Sequence, residues 1–520
     1  MAATTVKGKH TQTPLNGAEK LFGPWRMDPW GRLRPELTAE GVGLSLELAA
    51  TAYDLELHPW LAAGWTDASI QVDNRLHTGI TASGSDRPGQ TLKNTWALYR
   101  AKRDLRQLNP ISRVRSALRQ KEQSDTGKAV VMIHPSDDGR YVVAIGFMGT
   151  GKRFYDWFSN FRMTSDGGFH KGFLQLARQF EENETEIIFP QTARQLGVEK
   201  LTLRDVLTDC RRMDSPFRIW MAGHSQGAAV MQAWTWLKIH EDGVQPMHLV
   251  GVGFASPTVA SGLAVSDPAA YPLYHLCNSD DLVPRVGARV HLGVGLSYPA
   301  GEDVRRAACG WEETPQASVN RALMRRLTRR IVDAPSCLES TLAYMELLLE
   351  HNDKWEEGLA TLTDRFAFFK RALDAADRRE ADLIRFIKRH ASRVYFSMTG
   401  RTMDPARIAG IKKEMEAVEA QIGLKAMSKT LQELMYWPHT LAGKDGRDGS
   451  YAWIVHHGLK DIQPFIWQGG RDPVRLWLRS GADNGLGSLL PSAVAVRRRT
   501  PAPRRPLPRR HHGYSSRLNA

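Results

Sequence analysis

The stretch Phe217-Arg-Ile-Trp-Met-Ala-Gly-His-Ser-Gln-Gly-Ala-Ala229 decides how this chain folds. Its first six residues form an apolar run with aromatic and β-branched members, which reads as a buried strand. Gly223-His224-Ser225-Gln226-Gly227 then spells G-x-S-x-G, and the small residues Ala228 and Ala229 open a helix. A strand that turns at once into a helix needs glycine on both sides of the serine. A Cβ at Gly223 or Gly227 would collide with the neighbouring strand or helix. The turn exposes Ser225 Oγ and lets the N–H of Gln226 face the same point. An ordinary glycine-rich turn is the competing reading, and the strand before it with the helix after it favours a nucleophile at Ser225.

Working outward, apolar runs at 129–133 and 141–147 flank His-Pro-Ser-Asp-Asp-Gly, a turn signal between two strands. Further short strands are expected at 217–222, 248–254 and 273–277, with helical stretches between the later ones and a helix at 44–53. Alternation of this kind predicts an α/β domain with a largely parallel sheet. Along the chain the reading is an N-terminal arm at 1–42, the α/β domain at 43–357 and a charged helical hairpin at 358–436. A C-terminal segment packing on the core follows at 437–490, then a disordered Arg/Pro-rich tail at 491–520.

A serine needs a base, and the base needs a carboxylate to orient it. Asn278-Ser-Asp-Asp-Leu-Val-Pro284 follows the expected strand at 273–277, so Asp280 and Asp281 are both placed for that task. At this point several blocks in order resemble the class 3 (fungal-type) lipase family. They are Gly146-Phe-Met-Gly-Thr150, Asp156-Trp157, His170-Lys-Gly-Phe173, the Gly-His-Ser-Gln-Gly turn, Gly253-Phe-Ala-Ser-Pro257 and Asp281-Leu-Val-Pro-Arg285. Met148 and Gln226 depart from the commoner Arg and Leu, and neither change removes a catalytic group.

The resemblance implies an α/β-hydrolase fold and ester hydrolysis through Ser225, with Asp281 rather than Asp280 as the acid. It implies an oxyanion hole from Thr150 and the N–H of Gln226. It also implies a base some tens of residues after the acid. His351, in Glu350-His-Asn-Asp-Lys-Trp355, fits that spacing best, with His456 and His457 as alternatives; His291 resembles a non-catalytic family histidine and His439 is an outsider. Phe154, Trp157, Phe158 and Phe161 fall at i, i+3, i+4 and i+7. Such a stripe ordinarily faces a core, but its place after Thr150 implies a lid.

Composition narrows the function classes further. The chain has 520 residues, with 70 Lys+Arg against 56 Asp+Glu. Without the eight arginines of 491–520 the net charge of +14 falls to +6, so the basic signal belongs mainly to the tail. Nucleic acid is therefore an improbable partner, and peripheral contact with an anionic membrane surface is the preferred reading of the charge. The same surface is one reading of 319–331, where arginines surround Val319, Leu323, Leu327 and Ile331; a solvated helix face is the other. The four cysteines (Cys210, Cys277, Cys309, Cys337) lack the pairing of a disulfide scaffold or a zinc ribbon.

Gly146–Lys152 also satisfies G-x-x-x-x-G-K, but Arg153 stands where a nucleotide-binding loop needs Ser or Thr. Residues 1–13 are polar with no apolar core of a signal peptide, and a cytoplasmic location is expected, with signal-independent export compatible. The expected function is a serine carboxylic-ester hydrolase acting on a lipid or small acyl ester, with no metal or cofactor. The alternative is a catalytically silent scaffold on the same fold, engaging partners through its hairpin and tail.

Overall fold

In the computed structural model the described residues are 25–27, 33–35, 37–54, 57–70, 129–149, 165–166, 168–261, 264–285, 287–288, 290–298, 314–331, 334–350, 388–389, 391–393, 395–396, 399–441, 450–459 and 463–465. Eight strands build the main sheet: β1 (Thr66–Asp67), β2 (Ala129–Pro135), β3 (Tyr141–Phe147), β4 (Phe217–His224), β5 (Leu249–Phe254), β6 (Leu273–Asn278), β7 (Val294–Tyr298) and β8 (Gln463–Phe465). Their order across the sheet follows their order in the chain, from β1 at one edge to β8 at the other. Strands β3 to β7 run parallel, and the remaining pairs, β1–β2, β2–β3 and β7–β8, are antiparallel. Strands β2 and β3 form the hairpin expected from the turn signal, with Gly139 at positive φ.

The parallel strands are apolar at nearly every position because both faces are covered. Side chains alternate across a strand, so Ile219 and Met221 enter one core while Trp220 and Ala222 enter the other. Helices α2 (Lys171–Glu182) and α3 (Gln226–His240) cover the first face. Helix α1 (Ala39–Asp54) covers the second, where Trp220 Nε1 donates to Ser45 Oγ at 2.9 Å. It begins at Ala39, ahead of the boundary placed at 43. The arm before it includes a strand pair, Trp25–Met27 with Leu33–Pro35. Helices α2 and α3 are also tied by a buried Lys238, whose ammonium meets Glu181 at 2.8 Å and Glu184 at 3.0 Å.

A second layer is helical. Helices α4 (Pro315–Thr328), α5 (Ala334–Glu350), α6 (Pro405–Ile422) and α7 (Leu424–Tyr436) share a core that includes Met324, Leu347, Met415 and Met427. Residues 405–436 therefore pack on 315–350, which the sequence reading assigned to the α/β domain. They also form two helices, broken at Gly423 with φ +78°, rather than one arm of a hairpin. The other expected arm falls mostly at 358–387, outside the described residues, as does the tail. The apolar stripe of 319–331 is largely packed against the protein: Leu327 is buried and Leu323 and Ile331 pack on the cores, while Val319 at its start is 52% exposed. No described helix is long and apolar enough to cross a membrane.

Candidate active site

Strand β4 ends at His224, and Ser225 is the residue between it and α3. Its backbone has φ 56° and ψ −127°, a region that L-residues avoid. Holding a serine there costs roughly 1–3 kcal/mol, which the surrounding contacts must offset. Ser225 N–H donates to Phe254 O at 2.9 Å, pinning the turn to the end of β5. Gly227 has no room for a side chain, since a Cβ would overlap the Phe147 carbonyl at the end of β3. This is the steric need that the G-x-S-x-G pattern predicted.

Ser225 Oγ lies 3.0 Å from His439 Nε2. His439 Nδ1 lies 3.0 Å and 3.2 Å from the two carboxylate oxygens of Asp281. An ionised carboxylate only accepts, so Nδ1 carries the proton and Nε2 presents its lone pair to the serine hydroxyl. All three side chains are buried. Asp281 sits directly after β6, where Val283 N–H donates to Oδ1 at 2.9 Å. The neighbouring Asp280 belongs to the turn, its N–H donating to Asn278 Oδ1. Of the two aspartates left open by position, only Asp281 faces the imidazole.

The histidine is the chief difference from the sequence reading. The imidazole between Ser225 and Asp281 is that of His439, not of His351, which lies outside the described residues. His456 and His457 lie elsewhere, on the π-helical turn Ile454–Gly458, with His457 against Trp453. His291 is buried edge-to-face against His275. Spacing did not lead to His439 because the helical layer stands in sequence between it and Asp281, a separation of 158 residues. After α7 the chain makes a tight turn, Trp437–His439, which returns it to the sheet. The local signal was Tyr436-Trp437-Pro438, an aromatic pair and a helix-stopping proline just before the histidine.

Tyr451 was not anticipated. It is fully buried, and its hydroxyl donates to Asp281 Oδ2 at 2.8 Å while accepting from Asn278 N–H at 3.1 Å. Burial first, and the Asp281 charge second, push its phenol well above the usual tyrosine range, so it stays a donor. Asn278 Nδ2 also donates to Ser450 Oγ at 2.7 Å, and Tyr451 N–H to Thr440 O. These bonds fasten the segment carrying His439 to the end of β6. Bonds to a charged acceptor are worth about 1.5–3 kcal/mol. Tyr451→Phe is therefore expected to lower stability by about 2 kcal/mol and ester turnover by about tenfold; unchanged urea midpoint and rate together would remove Tyr451 from the site.

Gln226 opens α3, where a first-turn N–H has no intrahelical acceptor. Thr150 lies outside the described residues, but Gly149 before it is packed directly on the turn. A Cβ at Gly149 would strike Tyr53 Oη and the His224 carbonyl, and come 3.3 Å from Ser225 Cβ. Phe154, Trp157, Phe158 and Phe161 lie outside the described residues.

Residues 146–291 match the sequence model of the family described as lipase (class 3). Among curated proteins none matches the chain. Solved structures similar in part include one described as a triacylglycerol lipase whose catalytic centre is a serine protease triad. It is 18% identical, with 33% of this chain and 63% of that one covered and a TM-score of 0.23. The Rhizomucor miehei lipase–propeptide complex is 15% identical, covering 55% of this chain and 81% of that one at a TM-score of 0.28. Lipase II from Rhizopus niveus is 19% identical, covering 33% and 62% at a TM-score of 0.23. The chain thus spans just under two thirds of the first and third of these. A mostly parallel sheet with helices on both faces fits the α/β-hydrolase arrangement, and residues 146–291, which hold Ser225 and Asp281, match the class 3 lipase family.

Proposed function

We propose that this protein is a serine carboxylic-ester hydrolase of lipase type. The observation that carries the reading is the hydrogen-bonded series Ser225–His439–Asp281 at a strained strand-to-helix turn. Ser225 Oγ attacks the acyl carbonyl while His439 Nε2 takes its proton. His439 then gives that proton to the departing alcohol, leaving an acyl-serine. Water, deprotonated by the same nitrogen, attacks the acyl carbonyl and frees the acid and Ser225. Asp281 keeps the imidazole in its Nδ1–H tautomer and stabilises the imidazolium formed at each step. The Gln226 N–H and Thr150 receive the oxyanion, and one such donor is worth about 3 kcal/mol of barrier.

Lipid acyl esters are the proposed substrates, on the strength of the family match. The backbone strain at Ser225 speaks against a silent scaffold, which gains nothing from a serine in that conformation. The test is an acyl-chain series of p-nitrophenyl esters, assayed below and above the concentration at which the substrate aggregates. The expected result is turnover by the wild type that rises on aggregation. Absence of turnover across the series, together with no labelling of Ser225 by a fluorophosphonate probe, overturns the reading.

A further inference from the structure

His224, the residue before the nucleophile, touches no reacting atom, yet both of its ring nitrogens are engaged. Nε2 lies 2.8 Å from the backbone carbonyl oxygen of His439, and Nδ1 lies 2.8 Å from Tyr53 Oη. A carbonyl can only accept, so Nε2 must carry the proton. Nδ1 is then bare in the neutral ring and accepts from the Tyr53 hydroxyl. Tyr53 Oη is also packed on Gly149, so closely that a Cβ there would overlap it. Both hydrogen bonds therefore have one direction, from the Tyr53 hydroxyl to His224 and from His224 to the carbonyl of His439.

A doubly protonated His224 would break this order. Its Nδ1–H would turn toward Tyr53 Oη, leaving the buried phenol proton without its acceptor. Burial, and then the neighbouring His439, hold the His224 imidazole well below its usual range, so the neutral ring is the resident form. The groups facing it are Tyr53, His439 and Tyr451, with ring centroids 5.8, 4.8 and 6.2 Å away. The elements joined are far apart in the chain: α1 supplies Tyr53, the end of β4 supplies His224, and the turn after α7 supplies His439.

We propose that Tyr53 and His224 are positioning residues that couple the loop at Gly149 to the backbone of the base. This rests on the ester-hydrolase reading. Tyr53 packs on Gly149, and its two hydrogen bonds onward through His224 tie that loop to the backbone of the imidazole. Its effect falls on the transition state, when the proton moves to His439 and charge develops on the substrate oxygen. Substrate binding is left alone, because neither side chain needs to touch the acyl group.

The experiment compares the wild type, Tyr53→Phe, His224→Gln and the double variant on p-nitrophenyl butyrate, with circular dichroism to confirm folding. His224→Gln keeps an N–H for the His439 carbonyl, while its amide oxygen is no longer held by a ring in line with the Tyr53 hydroxyl. Each single variant is expected to lose about tenfold in kcat with KM within about twofold. The double variant is expected to lose no more than either single one, because both cut the same link. Wild-type kcat in Tyr53→Phe, or losses that multiply in the double variant, overturn the relay. Nitrogen-15 NMR of labelled histidine reads His224 independently of activity: the Nε2–H tautomer is expected, and the Nδ1–H tautomer overturns the proposal. A folded wild type that turns over no ester refutes the hydrolase reading, and the tautomer then still decides the relay.

Discussion

Ser225→Ala is expected to lower kcat for a p-nitrophenyl ester by about 10⁴-fold or more, leaving only what the oxyanion donors and binding supply. The loss should appear in kcat rather than KM, because the missing oxygen forms the acyl bond and contributes little to ground-state contact. Folding should survive, since alanine bears the same backbone cost as serine at φ 56°. Ser225→Gly gives the complementary result. Glycine tolerates that conformation, so this variant should be inactive and yet about 1 kcal/mol more stable than the alanine variant. Turnover near the wild-type rate in Ser225→Ala would end the assignment.

His439→Ala is expected to be nearly as damaging, with a loss of about 10⁴-fold or more in kcat, whereas His351→Ala should remain within about threefold of the wild type. The contrast separates the histidine chosen by spacing from the one that meets Ser225 and Asp281. Removing the imidazole also leaves the buried Asp281 carboxylate with one donor fewer. A stability loss of about 1–3 kcal/mol is expected alongside the lost activity. A His439→Ala enzyme retaining a tenth of wild-type activity would place the base elsewhere.

Much of the hydrolase core was legible because its signals are local. The strands at 141–147 and 217–222 announce themselves by predominantly apolar runs, which need only their own residues to be read. The turn at Gly223–Gly227 declares itself through a steric need satisfied within five residues. The pair Asp280–Asp281 stood out because a carboxylate just past a strand end is where a parallel sheet collects its functional groups, and the family blocks singled out Asp281. The split of 405–436 at Gly423 rests on a single glycine at positive φ inside a charged helical period that by itself reads as one helix. The outward turn of Val319 on α4 was not visible, since which face of an amphipathic helix is buried depends on the helices it meets.

The sequence by itself determined the class of the fold and pointed to Ser225 as the candidate nucleophile and, with its family blocks, to Asp281 as the candidate acid. Only the tertiary structure brought forward His439 as the candidate base. An imidazole becomes a base by standing about 3 Å from a hydroxyl and a carboxylate, and those distances are set by packing between residues 214 and 158 positions apart in the chain. The same holds for Tyr451 behind Asp281 and for Tyr53 and His224 beside His439. Their roles are hydrogen bonds between elements remote in sequence, whose partners and direction exist only after the sheet, α1 and the returning segment have come together.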